Sequence, residues 1–146
     1  MTELIVDILL VEDRMEDAEL AMMGLKKYNL INKIDWVKDG EEALEYVFAE
    51  GRYSHRSIEN KPKMILLDIQ MPKVDGLQVL KRIRSDERTR DIPVIVLTTS
   101  KEQQDIIDAY QLKVNAYILK PVDFAGFTEA MKAMGMFWIL LNQRPY

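Results

Sequence analysis

The sequence predicts a doubly wound α/β sandwich on five parallel strands, and three observations carry that prediction. Short runs rich in Ile, Leu and Val recur at residues 5–11, 34–37, 64–67, 93–97 and 116–119, each followed by a longer amphipathic stretch. The runs Ile8-Leu9-Leu10-Val11, Met64-Ile65-Leu66-Leu67 and Val94-Ile95-Val96-Leu97 do not alternate. Strands covered by helices on both faces have that character. Four of the runs also end abruptly in polar groups: Glu12-Asp13, Asp68, Thr98 and Lys120.

The first strand is followed by a helix expected from Asp17 to Lys27, and the second, Ile34 to Val37, by Asp39-Gly40. An Asp-Gly pair can turn a hairpin, but Glu41-Glu42-Ala43-Leu44-Glu45-Tyr46-Val47 has helical spacing, so a helix is expected from Gly40 to Ala49. Glu50 to Lys63 is polar and aperiodic and reads as a surface loop. His55 lies in it, with no carboxylate or Ser at the spacing of a catalytic triad, and reads as a solvated side chain. Asp75-Gly76 opens a helix to Ser85 after the third strand, and Gln103 to Leu112 follows the fourth. The fifth strand delivers Lys120-Pro121, and a last helix spans Phe124 to Leu141.

The 146 residues suit one domain, with no room for a second. With 24 acidic against 20 basic residues there is no electrostatic footprint for nucleic acid. Having no cysteine excludes disulfides, thiolate metal sites and thiol nucleophiles. No apolar segment behind a basic start suggests secretion, and Met134 to Leu141 is shorter than the roughly 20 residues that span a bilayer. A cytoplasmic protein without membrane attachment is expected.

In an open parallel sheet, functional groups gather beyond the carboxyl ends of the strands, so Glu12, Asp13, Asp68, Thr98 and Lys120 should converge. Each alone has an ordinary role, since an Asp after a strand often caps a helix. As a set at one end of different strands they imply chemistry. Three carboxylates in one pocket need a cation, and hard oxygen donors favour Mg²⁺, with Asp13 and Asp68 as direct ligands and Glu12 acting through water. A metal, a lysine and a hydroxyl together suit a phosphoryl group, with Asp68 as the nucleophile.

These residues, with Met71-Pro72 and Gly76 after Asp68, resemble the receiver domain of a two-component response regulator along the whole chain, with no output domain appended. The resemblance implies a flavodoxin-like (βα)5 three-layer sandwich that takes a phosphoryl group from a sensor histidine kinase onto Asp68. It further implies Mg²⁺ held by Asp13, Asp68 and the Gln70 carbonyl, Lys120 pairing with the phosphorylated Asp68, and a cis bond before Pro121. Thr98 and Tyr117 would form the switch, and Gln70 and Ser100 would modulate phosphate lifetime. Such a domain catalyses only its own phosphorylation and dephosphorylation and acts through protein contacts. A phosphorylation-independent adaptor would lack one of the key residues, all of which are present. A phosphatase with an aspartate nucleophile would need an acid where Gln70 stands.

The polar insertion before the third strand, Leu97-Thr98-Thr99-Ser100 and the Phe137-Trp138 pair are similar to single-domain regulators that accompany phytochromes. That resemblance implies a phytochrome kinase as partner and a homodimer formed by the last helix with the adjoining strand and helix. On the last helix, Phe124, Phe127, Met131, Met134, Trp138 and Leu141 form one apolar stripe for the core, leaving Met136, Phe137, Ile139 and Leu140 as the expected partner surface.

Overall fold

A computed structural model of the chain describes residues 8–26, 33–71 and 74–120, together with residues 125, 126 and 129. Pro121 and the expected surface at Met136, Phe137, Ile139 and Leu140 lie outside the described residues, as do Pro72 and the body of the last expected helix. Strands β1 (Ile8–Val11), β2 (Ile34–Val37), β3 (Met64–Asp68), β4 (Val94–Thr98) and β5 (Ala116–Leu119) alternate with helices α1 (Met15–Lys26), α2 (Gly40–Phe48), α3 (Gly76–Arg84) and α4 (Lys101–Ala109). All strand pairs are parallel and the sheet order is β2-β1-β3-β4-β5. This is the doubly wound sheet the sequence predicts.

Alternate residues of each strand face opposite layers, and β1, β3 and β4 are buried at every position, which is why their runs had to be apolar on both faces. Leu9, Val11, Ile65, Leu67, Val94 and Val96 face one core with Ala43, Tyr46 and Val47 of α2, Val79, Leu80 and Ile83 of α3, and Ile107 of α4. Ile8, Leu10, Met64, Leu66, Ile95, Leu97 and Ile118 face the other with Ala18, Ala21 and Leu25 of α1. Each fully buried aliphatic side chain contributes about 1.5 to 3 kcal/mol, so two full layers make the strand ends a rigid platform.

Neither Asp-Gly pair turns a hairpin. The Asp39 side chain accepts the N–H of Glu42 at 2.8 Å at the start of α2. Asp75 and Gln78 form a reciprocal capping box at α3. Helix α4 begins at Lys101, two residues earlier than expected, because Ser100 caps it through the N–H of Gln103; it stops at Ala109, and Gln111 has φ 56°. The segment from Glu50 to Lys63 is more ordered than a plain surface loop. It holds a 3-10 turn at Gly51–Tyr53 and is fastened to α2, where Tyr53 donates to Glu42 at 2.6 Å and Arg52 pairs with Glu45 at 2.9 Å. Arg56 lies 3.8 Å from the Tyr46 ring centroid and donates to the carbonyls of Tyr46 and Asn60.

Candidate functional site

Strand order reverses around β1, which is flanked by β2 on one side and β3 on the other, so a crevice opens at the carboxyl ends of β1 and β3. Glu12-Asp13 follows β1 directly, and the Glu12 backbone is fixed by its N–H to the Val37 carbonyl at 3.1 Å and by Trp36 Nε1 donating to its carbonyl at 2.7 Å. Asp68 is the last residue of β3, paired with Leu97, and Thr98 is the last of β4. Lys120 follows β5, its N–H bonded to the Thr98 carbonyl at 2.9 Å. Gly76, at the start of α3, bonds the Ile69 carbonyl at 2.9 Å, and a Cβ there would lie 2.3 Å from the Asp68 carbonyl oxygen. Only a glycine lets α3 press so close behind Asp68.

Glu12 and Asp68 are buried, 1% and 4% exposed. Carboxylate oxygens of Glu12, Asp13 and Asp68 lie within 4.8 Å of one another. The Lys120 ammonium meets Glu12 Oε1 at 2.6 Å, Asp68 Oδ2 at 3.3 Å and Asp17 Oδ2 at 3.3 Å. Burial, and then the Glu12 charge, push the Asp68 carboxyl up to about 7, against the opposing pull of Lys120. Burial pulls Lys120 down, but its hydrogen bond to Glu12 and the surrounding carboxylates outweigh it, and the net shift is upward. Such crowding favours a second positive charge, and three hard oxygen donors this close can hold a divalent cation.

The Thr98 hydroxyl oxygen is buried and finds no hydrogen-bond partner, alone in this among the described side-chain groups. An unpaired buried hydroxyl costs about 1 to 3 kcal/mol, so a group that an oxyanion could engage is held ready. Asp13, Arg14, Asp17, Asp68, Gln70, Thr99 and Lys120 line a cavity of 430 Å³, next to one of 480 Å³ bounded by Asp13, Ile69, Gln70, Met71 and Asp75. The structure thus brings Glu12, Asp13, Asp68, Gln70 and Lys120 together. Thr98 is fully buried and does not line the cavity, whereas Thr99 does. Ser100 is turned to the start of α4. Tyr117 points away, its hydroxyl donating to Asp108 of α4 at 2.9 Å. Sequence reasoning missed Arg14 and Asp17 at the site; the available signal was a carboxylate one helical turn past the acidic pair.

A parallel α/β sheet whose switch point carries three clustered carboxylates and a lysine defines a class of open-sheet protein with a crevice suited to a cation and an anion. Residues 8–132 match the response regulator receiver domain, and the chain belongs to that family of two-component signalling proteins. It is 38% identical over 138 residues to the probable methanogenesis regulatory protein FilR2 of Methanothrix harundinacea, covering 94% of this chain and 86% of that one. It is 34% identical over 132 residues to the response regulator Rcp1 of Synechocystis sp., covering 90% and 88%. Among solved structures, the bacteriophytochrome response regulator RtBRR superposes with a TM-score of 0.86 at 44% identity, covering 97% of this chain and 85% of that one. The phosphorylated cyanobacterial phytochrome response regulator RcpA gives 0.72 at 39%, covering 90% and 92%. The Mn²⁺-bound form of Rcp1 gives 0.73 at 33%, covering 95% and 98%. Among the described residues no helix is long and apolar enough to cross a membrane.

Proposed function

We propose that this chain is a stand-alone response regulator that accepts a phosphoryl group on Asp68 from a sensor histidine kinase, with Mg²⁺ as cofactor. One observation carries the reading most directly: a 4%-exposed carboxylate at a strand end, 3.3 Å from a lysine ammonium and within reach of two more carboxylates. An Asp68 oxygen attacks phosphorus as the bond from phosphorus to the donor imidazole nitrogen breaks. That electron pair leaves on the nitrogen, and the donor ring, protonated on its other nitrogen, departs as neutral imidazole. Asp13, Asp68 and the Gln70 carbonyl would hold Mg²⁺, with Glu12 reached through water. Bound there, the cation neutralises charge on the transferring oxygens. Lys120 stabilises the same oxygens from the other side, and the Thr98 hydroxyl supplies the donor that reads the phosphorylated state.

RcpA is described as a phosphorylated phytochrome response regulator and Rcp1 as Mn²⁺-bound, which supports a phytochrome kinase as partner and a divalent site in this chain. The reading includes a homodimer through the last helix with β5 and α4. Ile106 of α4, Tyr110 at its C-cap and Leu119 of β5 are more than half exposed, which supports an apolar interface on that side. Incubation with Mg²⁺ and acetyl phosphate adds one phosphoryl group to the wild-type protein and none to Asp68→Asn, read by intact mass. Equal labelling of the two overturns the assignment. Phe137→Glu shifts the mass by light scattering to that of a monomer, and an unchanged mass removes the dimer surface.

A further inference from the structure

Asp17 has no part in the chemistry described so far, yet it is one of three carboxylates around the Lys120 ammonium. It accepts from Lys120 Nζ at 3.3 Å, and the Arg14 guanidinium stands by the same Oδ2, its Nε 3.9 Å away. The burial of Ala18, Ala21 and Leu25 sets the rotation of α1 and turns Asp17 back toward the strand ends, where it lines the cavity with Asp68. A lysine ammonium has three N–H donors in a fixed tripod. Here Glu12, Asp17 and Asp68 lie within 2.6 to 3.3 Å of it, as many carboxylates as it has donors, and Asp17 accepts one of them.

We propose that Asp17 is a positioning residue for phosphoryl transfer: with Glu12 it fixes two donors of the Lys120 ammonium so that the third stays aimed at Asp68. The proposal rests on Asp68 as phosphoacceptor. Glu12 is the closest partner and by itself leaves the ammonium free to rotate about one contact. Asp17 removes that freedom. When phosphorus bonds to an Asp68 oxygen and the donor's leaving group departs with its electron pair, the third donor passes to a phosphoryl oxygen while the other two keep their carboxylates. Preset geometry of this kind acts on the rate of the chemical step. Asp17 also restrains Arg14 at the cavity mouth, so its removal leaves two cations less well placed.

The test uses the full-length protein, acetyl phosphate and two variants. Asp17→Ala removes the acceptor, whereas Asp17→Asn keeps an oxygen in the same place without the charge. The maximal rate of labelling at saturating acetyl phosphate falls about tenfold in Asp17→Ala, and Asp17→Asn recovers a substantial part of it. Without metal or donor, the Lys120 ammonium gives an ¹H–¹⁵N correlation in the wild type, slowed in exchange by its three acceptors; this signal weakens in Asp17→Ala. Equal maximal rates and equal Lys120 signals in wild type and Asp17→Ala overturn the proposal, as does loss of melting temperature with no change in either. A wild-type chain that takes no phosphoryl group overturns the phosphoacceptor reading itself, and the metal-free Lys120 signal still reports separately on Asp17.

Discussion

The ammonium of Lys120 lies 2.6 Å from Glu12 and 3.3 Å from Asp68, so the cation at the site is bound more closely to the neighbour of the candidate nucleophile than to the nucleophile itself. Asp68 is left partly uncompensated, and that is why burial and the Glu12 charge hold its carboxyl near 7, well above the ordinary 3.8.

A pH dependence follows. The folded state favours protonated Asp68, so this stabilising contribution is complete below about pH 3.8 and is lost as pH rises through about 7. At pH 8 in chelator the wild-type protein is therefore less stable than at pH 5 by a few kcal/mol on this account, at roughly 1.4 kcal/mol per unit of displacement. Asp68→Asn has nothing to ionise at that position and is the more stable protein at pH 8, by urea unfolding. Mg²⁺ narrows the difference and removing it restores the gap. A wild-type curve that stays flat between pH 5 and 8, with no gain in Asp68→Asn, contradicts the burial of a charged Asp68.

Gly76 ties the packing of α3 to the position of Asp68. In an exposed helix Ala is better than Gly by about 1 kcal/mol, but here a Cβ would sit 2.3 Å from the Asp68 carbonyl oxygen and 2.7 Å from the Ile69 Cα. Backbone atoms in a strand end cannot swing aside, so Gly76→Ala destabilises by about 1 to 3 kcal/mol, and displaced Asp68 is labelled more slowly by acetyl phosphate. Melting temperature and labelling rate should fall together; a stabilised variant would refute the close approach.

Arg84 offers a contrast at the opposite end of the sheet. Its guanidinium donates to the carbonyls of Lys113 at 2.9 Å and of Arg90 and Ile92 at 2.8 Å, joining the segments that lead into β4 and β5. Water can replace it at the two exposed carbonyls but less well at the part-buried Ile92 carbonyl, and Arg84→Ala costs about 1 to 3 kcal/mol. Arg84→Lys recovers little, because a point ammonium cannot span three acceptors in a planar fork. Denaturant titration reads the loss, while the phosphorylation rate of the folded protein stays at the wild-type value. A slowed rate at unchanged stability would place Arg84 in the chemistry instead.

The strand ends were legible because the central strands bury both faces: an apolar run that cannot alternate admits a polar group only at its end or directly after it, where Asp68, Glu12 and Lys120 stand. Parallel topology then puts those residues on one edge without any knowledge of distances. The rotation of α1 was not legible, since Asp17 meets Lys120 only after Ala18, Ala21 and Leu25 choose their side of the sheet. Nor was the order in the 50–63 segment, which comes from pairs such as Tyr53 with Glu42 and Arg56 with Tyr46 that no local pattern announces. The early start of α4 rests on one Ser100 cap, a signal that any loop serine shares.

Tyr117 is where the switch expected from sequence meets a measurable obstacle. Its hydroxyl donates to Asp108 at 2.9 Å, and burial together with that carboxylate pushes the phenol up to about 12. An inward swing toward Thr98 must break this bond, whose net worth of about 0.5 to 1.5 kcal/mol is enough to change the inward population by a few-fold to about tenfold. In Asp108→Ala the Tyr117 phenol titrates closer to 10, followed by its ¹³Cζ resonance, and the ring shifts partway toward the phosphorylated position before any phosphoryl group is added. Phosphorylation of the wild type should then move the Tyr117 ring resonances in the same direction as the hydroxyl leaves Asp108. If Tyr117 keeps its ring shifts after Asp68 is fully phosphorylated, the aromatic stays on α4 and the signal leaves the site by another route.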